Sequence, residues 1–128
     1  MRSTPYPIRI PKTADHADPA FTFLVDDIQN AARSLGLHEL ALRIEVKWSG
    51  RLRSTAGLAT PENALITLNP KLLQPDISEE QVVRVVLHEL AHLIARERFG
   101  KRRIPAHGVE WRTACADLGI ADEPARHT

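Results

Sequence analysis

His88, Glu89 and His92 fall within five residues, in the order His-Glu-x-x-His. On a helix, residues four apart stand one above the other, so the two imidazoles point the same way. Such a pair suits a metal ion that takes nitrogen ligands at about 2.0–2.1 Å. Glu89 is turned by about 100° around the axis, near enough to touch a metal-activated water without ligating the ion. A catalytic zinc requires this division: side chains that hold the ion, an open position for water, and a carboxylate to take the proton. The flanking residues, Val82 to Leu87 and Leu93 to Ala95, are almost all apolar, so the helix reads as buried. An unpaired charge placed there by chance would be strongly destabilising, which argues against a solvated helix with an accidental pattern.

Two histidines leave a catalytic zinc one protein ligand short. A metzincin would place its third histidine six residues after His92, and that position is Arg98. Farther on, His107 and Glu110 both remain candidates, the second at nearly the separation of a thermolysin-like glutamate. No oxyanion stabiliser stands out. The one tyrosine, Tyr6, lies near the N-terminus, which leaves Arg112 as the alternative.

The elements that must position these groups can be read in outline. Ser78-Glu79-Glu80-Gln81 has the form of a capping box, with Ile77 and Val82 placed to staple across it. The metal-motif helix should therefore run from about Glu79 to Phe99 and stop at Gly100. An earlier helix is expected after Asp18-Pro19, with Phe21, Leu24, Val25, Ile28, Ala32 and Leu35 at helical spacing and Gly36 as its stop. Leu42 to Trp48 alternates strictly, predicting a half-buried strand with Leu42, Ile44, Val46 and Trp48 on one face. Further strands are expected over 51–60, weakened by Gly57, and over 64–69. Connections this short predict a three-stranded antiparallel meander. Its edge could lie beside the metal, where an extended peptide would add as a strand. From about Gly108 to Leu118 a short helix is expected, stopped at Gly119. His16, His38 and His127 are read as surface or incidental residues.

At 128 residues, 43% hydrophobic and 26% charged, the chain has the length and composition of one globular domain. It divides into an irregular arm (1–17), the domain proper (18–120) and a polar tail (121–128). No apolar run could span a membrane, and no apolar segment marks a secretory signal. A cytoplasmic monomer is the expectation. Cys115 is the single cysteine, which excludes an internal disulfide and a Cys-x-x-Cys zinc ribbon. The net charge of +1 carries no global polyanion signal, so nucleic-acid binding would have to rest on local clustering. Arg96, Arg98, Lys101, Arg102 and Arg103 form such a cluster. Some would stabilise the helix C-terminus, and the group reads either as a solvated basic face or as a weak DNA-contacting patch.

Leu87-His88-Glu89-Leu90-Ala91-His92, followed by His107-Gly108-Val109-Glu110-Trp111, resembles the SprT-like family of zinc metallopeptidases, which includes the Spartan proteases. Trp48 to Gly57 and Ile66 to Asn69 resemble the strand segments that precede that family's active helix. The resemblance implies a compact α+β, zincin-like domain with flanking helices. It also implies zinc held by His88, His92 and His107, with Glu89 as general base and Glu110 available to orient a ligand imidazole. The activity implied is peptide hydrolysis, on a protein or peptide substrate that could be DNA-associated. The alternative is a non-catalytic zinc-holding interaction or DNA-associated domain, although such a domain would have no use for Glu89. Many SprT-like proteins also carry a cysteine-rich ribbon, which is not expected here, so the metal site transfers more firmly than the substrate.

Overall fold

A computed structural model of the chain describes residues 6–100 and 102–125. Its described part is an α+β domain of four α-helices and one three-stranded sheet. Helix α1 (Pro19–Ser34) starts as its residues dictate: the Asp18 carboxylate accepts from the Ala20 backbone N–H, and Pro19 needs no partner at the first helical position. Leu24, Ile28, Ala31 and Ala32 bury its inner face. The segment before α1 is irregular but tied down. Ile8 is buried, and both the backbone N–H and the guanidinium of Arg9 donate to Asp27.

The central element is α3 (Glu79–Phe99). Both halves of the capping box are made, with the Gln81 N–H donating to Ser78 Oγ and the Ser78 N–H donating to Gln81 Oε1. Gly100 ends the helix with a φ of 63°, a backbone region that glycine enters without strain. Between those ends α3 is buried on nearly all sides, as its apolar sequence requires. Helix α4 (Val109–Asp117) packs along it, and Trp111 is fully buried between them.

Two expectations about the middle of the chain are corrected. Residues His38–Arg43 form a short helix, α2, rather than the start of a strand, and Leu42 is 78% exposed. Leu40 and Ala41 bury the inner face of α2, so the alternation of Leu42 with Ile44 had no structural meaning there. The sheet is mixed, not an antiparallel meander. Strand β1 (Glu45–Trp48) pairs in parallel with β3 (Leu65–Leu68), and β2 (Gly57–Thr60) pairs antiparallel with β3, giving the order β1-β3-β2. Segment 49–56 is long enough to carry the chain past one strand position, about 4.8 Å, so β1 and β2 need not be neighbours. Burial favours the same order: Ile66, Thr67 and Leu68 are buried in succession, the mark of a central strand covered on both faces. The turn over Pro61–Asn63 then joins β2 to β3, closing on Ala64 in the left-handed region.

Edge strand β2 lies directly against α3. Gly57 is what allows it. A Cβ there would sit 3.1 Å from both Glu89 Cγ and Val85 Cγ1. The glycine read as a weakness in the strand is thus a close approach of backbone to helix. No helix among the described residues is long and apolar enough to cross a membrane.

Candidate metal centre

The apolar face of α3 fixes where its motif looks. With Leu87, Leu90 and Ile94 locked in the core, His88, Glu89 and His92 are carried to one flank, between β2 and α4. The polar loop after α3 returns the chain so that His107, just ahead of α4, meets the other two histidines. Ring centroids lie 5.4 Å apart for His88–His92, 5.4 Å for His88–His107 and 4.8 Å for His92–His107. One ligand nitrogen from each falls within 4.8 Å of the others, a set that could hold a metal ion. Tetrahedral nitrogen ligands at about 2.0–2.1 Å would be spaced by about 3.3 Å, so closing on an ion takes side-chain adjustments on the order of an ångström.

Trp111 is the floor of the cluster. Its ring stacks on His92 at 26° and meets His107 nearly edge-on. Its Nε1–H donates to the backbone carbonyl of His88 at 3.2 Å, which ties α4 to α3 beneath the histidines. The aromatic position of His-Gly-x-x-Trp therefore holds the third histidine's helix against the first two.

The electrostatics suit neutral nitrogen ligands. Burial pushes His92 down to about 4, helped by the neighbouring His107 and His88, so at neutral pH its imidazole is uncharged. Burial also pushes Glu89 up to about 7, opposed by His88 and reinforced by Glu123. A carboxyl so placed can exchange a proton near neutral pH, and a cation among the histidines would draw it back down. Cys115 takes no part: it lies on the buried face of α4, and burial with the nearby Glu123 pushes its thiol up to about 12.

A cleft of about 730 Å³ opens over the cluster, bounded by Gly57 and Leu58 of β2 on one side. On the other stand Arg96, Arg102 and Arg103. The basic cluster is thereby divided. Arg98 is paired with Asp117 at 2.8 Å, and Lys101 lies outside the described residues. Arg112 sits over Trp111 and donates to the Glu123 carbonyl, and it does not line the cleft.

The sequence reading missed one carboxylate that reaches the cluster. Glu110 was the residue expected to orient a ligand imidazole, but its Oε1 is buried without a hydrogen-bond partner. The carboxylate that meets His88 is Glu123, at 3.0 Å from Nδ1 and 1% exposed, in the segment read as a polar tail.

Comparison with known proteins agrees with this geometry. A model described as the SprT-like family matches residues 24–126. Protein SprT of Escherichia coli (strain K12) is 44% identical over 86 residues, covering 66% of this chain and 48% of that protein. Protein SprT of Pectobacterium atrosepticum is 48% identical over 75 residues, covering 59% and 41%. The chain thus spans about half the length of the curated relatives it matches.

Proposed function

The chain belongs to the SprT-like family, and we propose that it is a zinc-dependent peptidase with a zincin-like active centre. The observation that carries this reading is the convergence of three imidazoles and one buried carboxylate on a single cleft. His88, His92 and His107 would hold the ion, leaving one position open toward the cleft. Zinc bound there would supply Lewis acidity, polarising a scissile carbonyl and bringing the pKa of a water toward about 7.

The chain's own residues do the rest. An Oε atom of Glu89 takes the proton of the attacking water as its oxygen bonds to the carbonyl carbon. The same carboxyl returns that proton to the leaving nitrogen when the C–N bond breaks, so Glu89 ends as it began. Gly57 keeps β2 close enough to confine the Glu89 side chain. The edge of β2 offers backbone groups on which an extended peptide could be aligned as an added strand.

A second element of the proposal concerns substrate. Arg96, Arg102 and Arg103 on the cleft wall would favour proteins presented with a polyanion, DNA included. Binding of that kind is sequence-independent and falls steeply between about 50 and 200 mM salt.

Glu89→Gln tests the chemistry. It should retain zinc and the folded spectrum but yield no new termini in an unfolded protein substrate analysed by mass spectrometry. Cleavage at the wild-type rate would exclude Glu89 as the base. A wild-type protein that binds zinc yet cleaves nothing would favour a zinc-holding interaction domain.

A further inference from the structure

After α4 the chain doubles back. Gly119, at a φ of 84°, turns it, the Ile120 N–H donates to the Cys115 carbonyl, and Ile120 is fully buried. This docking inserts Glu123 between α3 and α4. Its Oε2 lies 3.0 Å from His88 Nδ1 and its Oε1 3.2 Å from Arg84 Nη1. Arg112 on α4 donates to its backbone carbonyl at 3.3 Å. Arg84 and His88 are four apart, so the carboxylate bridges one turn of α3.

Arg84 alone does not explain why a carboxylate is buried here. That guanidinium already has an exposed partner, Asp122, at 2.9 Å. Taking a second carboxylate out of water is unfavourable unless its remaining oxygen is used. The use on offer is His88. Facing a guanidinium, the Glu123 carboxylate acts as an acceptor, so the hydrogen of a neutral His88 imidazole sits on Nδ1. Nε2 is then left with its lone pair.

We propose that Glu123 is a positioning residue for the metal centre: by accepting from His88 Nδ1 it fixes the ring's orientation and tautomer so that Nε2 is presented to the ion. The inference rests on the reading of His88 as a ligand. It makes the segment after α4 part of the centre, although no residue of that segment would touch the ion. Carboxylates placed behind a ligand imidazole in this way also raise its basicity, and their loss costs about 10–100-fold in metal affinity.

The test uses Glu123→Met, which fills the same space but accepts no hydrogen bond of this kind, and Glu123→Gln, which still can. Zinc affinity is read by competition with a chromophoric chelator, and ligand geometry by the visible spectrum of the cobalt-substituted protein. The tautomer of His88 is read from ¹⁵N shifts of the metal-free protein. Wild type should show the Nδ1–H tautomer. Glu123→Met should mix tautomers, alter the cobalt spectrum and bind zinc about 10–100-fold more weakly, while Glu123→Gln recovers part of that loss. Asp122→Ala, which removes only the exposed partner of Arg84, should bind zinc as wild type does.

An Nε2–H tautomer in the wild-type protein overturns the proposal even if neither variant folds. Equal affinity and equal spectra for wild type and Glu123→Met overturn it alone. A wild type that binds no zinc overturns both this and the peptidase reading. If wild type binds zinc without cleaving and Glu123→Met binds it weakly, the positioning role stands and the peptidase reading falls.

Discussion

Replacing Gly57 by alanine should slow hydrolysis without removing the metal. The added Cβ would stand 3.1 Å from Glu89 Cγ and Val85 Cγ1, and 3.2 Å from Glu89 Oε2. Carbon atoms settle at about 3.5–4.0 Å, so either Glu89 or β2 must give by about half an ångström. Glu89 Cγ is near the root of its side chain, on a helix packed on all sides, so moving it turns the whole carboxylate away. A misplacement of about 1 Å can cost about a hundredfold in rate, and half of that displacement predicts roughly tenfold, or about 1.4 kcal/mol of barrier. Overpacking costs about 1–3 kcal/mol, offset by about 0.4–1 kcal/mol because alanine restricts the unfolded chain. Melting should therefore fall by no more than about 10 °C. The assay is single-turnover cleavage of a peptide at equal zinc content, with thermal melting alongside. A Gly57→Ala protein that cleaves at the wild-type rate would refute the claim that β2 confines the base.

Two other expectations follow from burial. In the metal-free protein, His92 has a lowered pKa in the folded state, so its contribution is fully present above about 6.5 and is lost as pH falls toward about 4. Glu89 has a raised one, so its contribution is present below about 4.5 and is lost as pH rises through about 7. The two oppose each other, and denaturant midpoints of the metal-free protein should vary little from this pair between about pH 4.5 and 6.5 and decline toward pH 7.5; a steep rise across that upper interval would contradict the Glu89 environment. Cys115, with its thiol pushed up to about 12, should resist a thiol reagent at pH 8 in the folded protein and react at once in denaturant. Rapid reaction without unfolding would show that the packing of α4 against α3 does not seal it.

What could be read from the sequence and what could not divide along physical lines. Helix α3 was legible to its ends because local chemistry sets them: Ser78 with Gln81 at one, Gly100 at the other. The i, i+4 pair was legible because its spacing is itself the signal; spacing left His107 and Glu110 both open, the family resemblance pointed to His107, and the three rings do converge. Sheet order was hidden, since pairing depends on where β3 is buried and not on any local residue. Alternation at Leu42 misled, because two apolar residues two apart fit the end of a helix as well as the start of a strand. Glu123 carried no periodic signal and is thirty-five positions from its partner. Ile120, apolar within an otherwise polar stretch, was the one hint that the segment folds back.

Zinc content and cleavage, measured on the same samples of wild type, His107→Ala and Glu110→Ala, test the metal centre most directly. Wild type should hold one zinc per chain and cleave; His107→Ala should lose both, and Glu110→Ala should keep its zinc. Stoichiometric zinc in His107→Ala, with loss of the metal from Glu110→Ala, would contradict the three-histidine centre and move the third ligand to the glutamate.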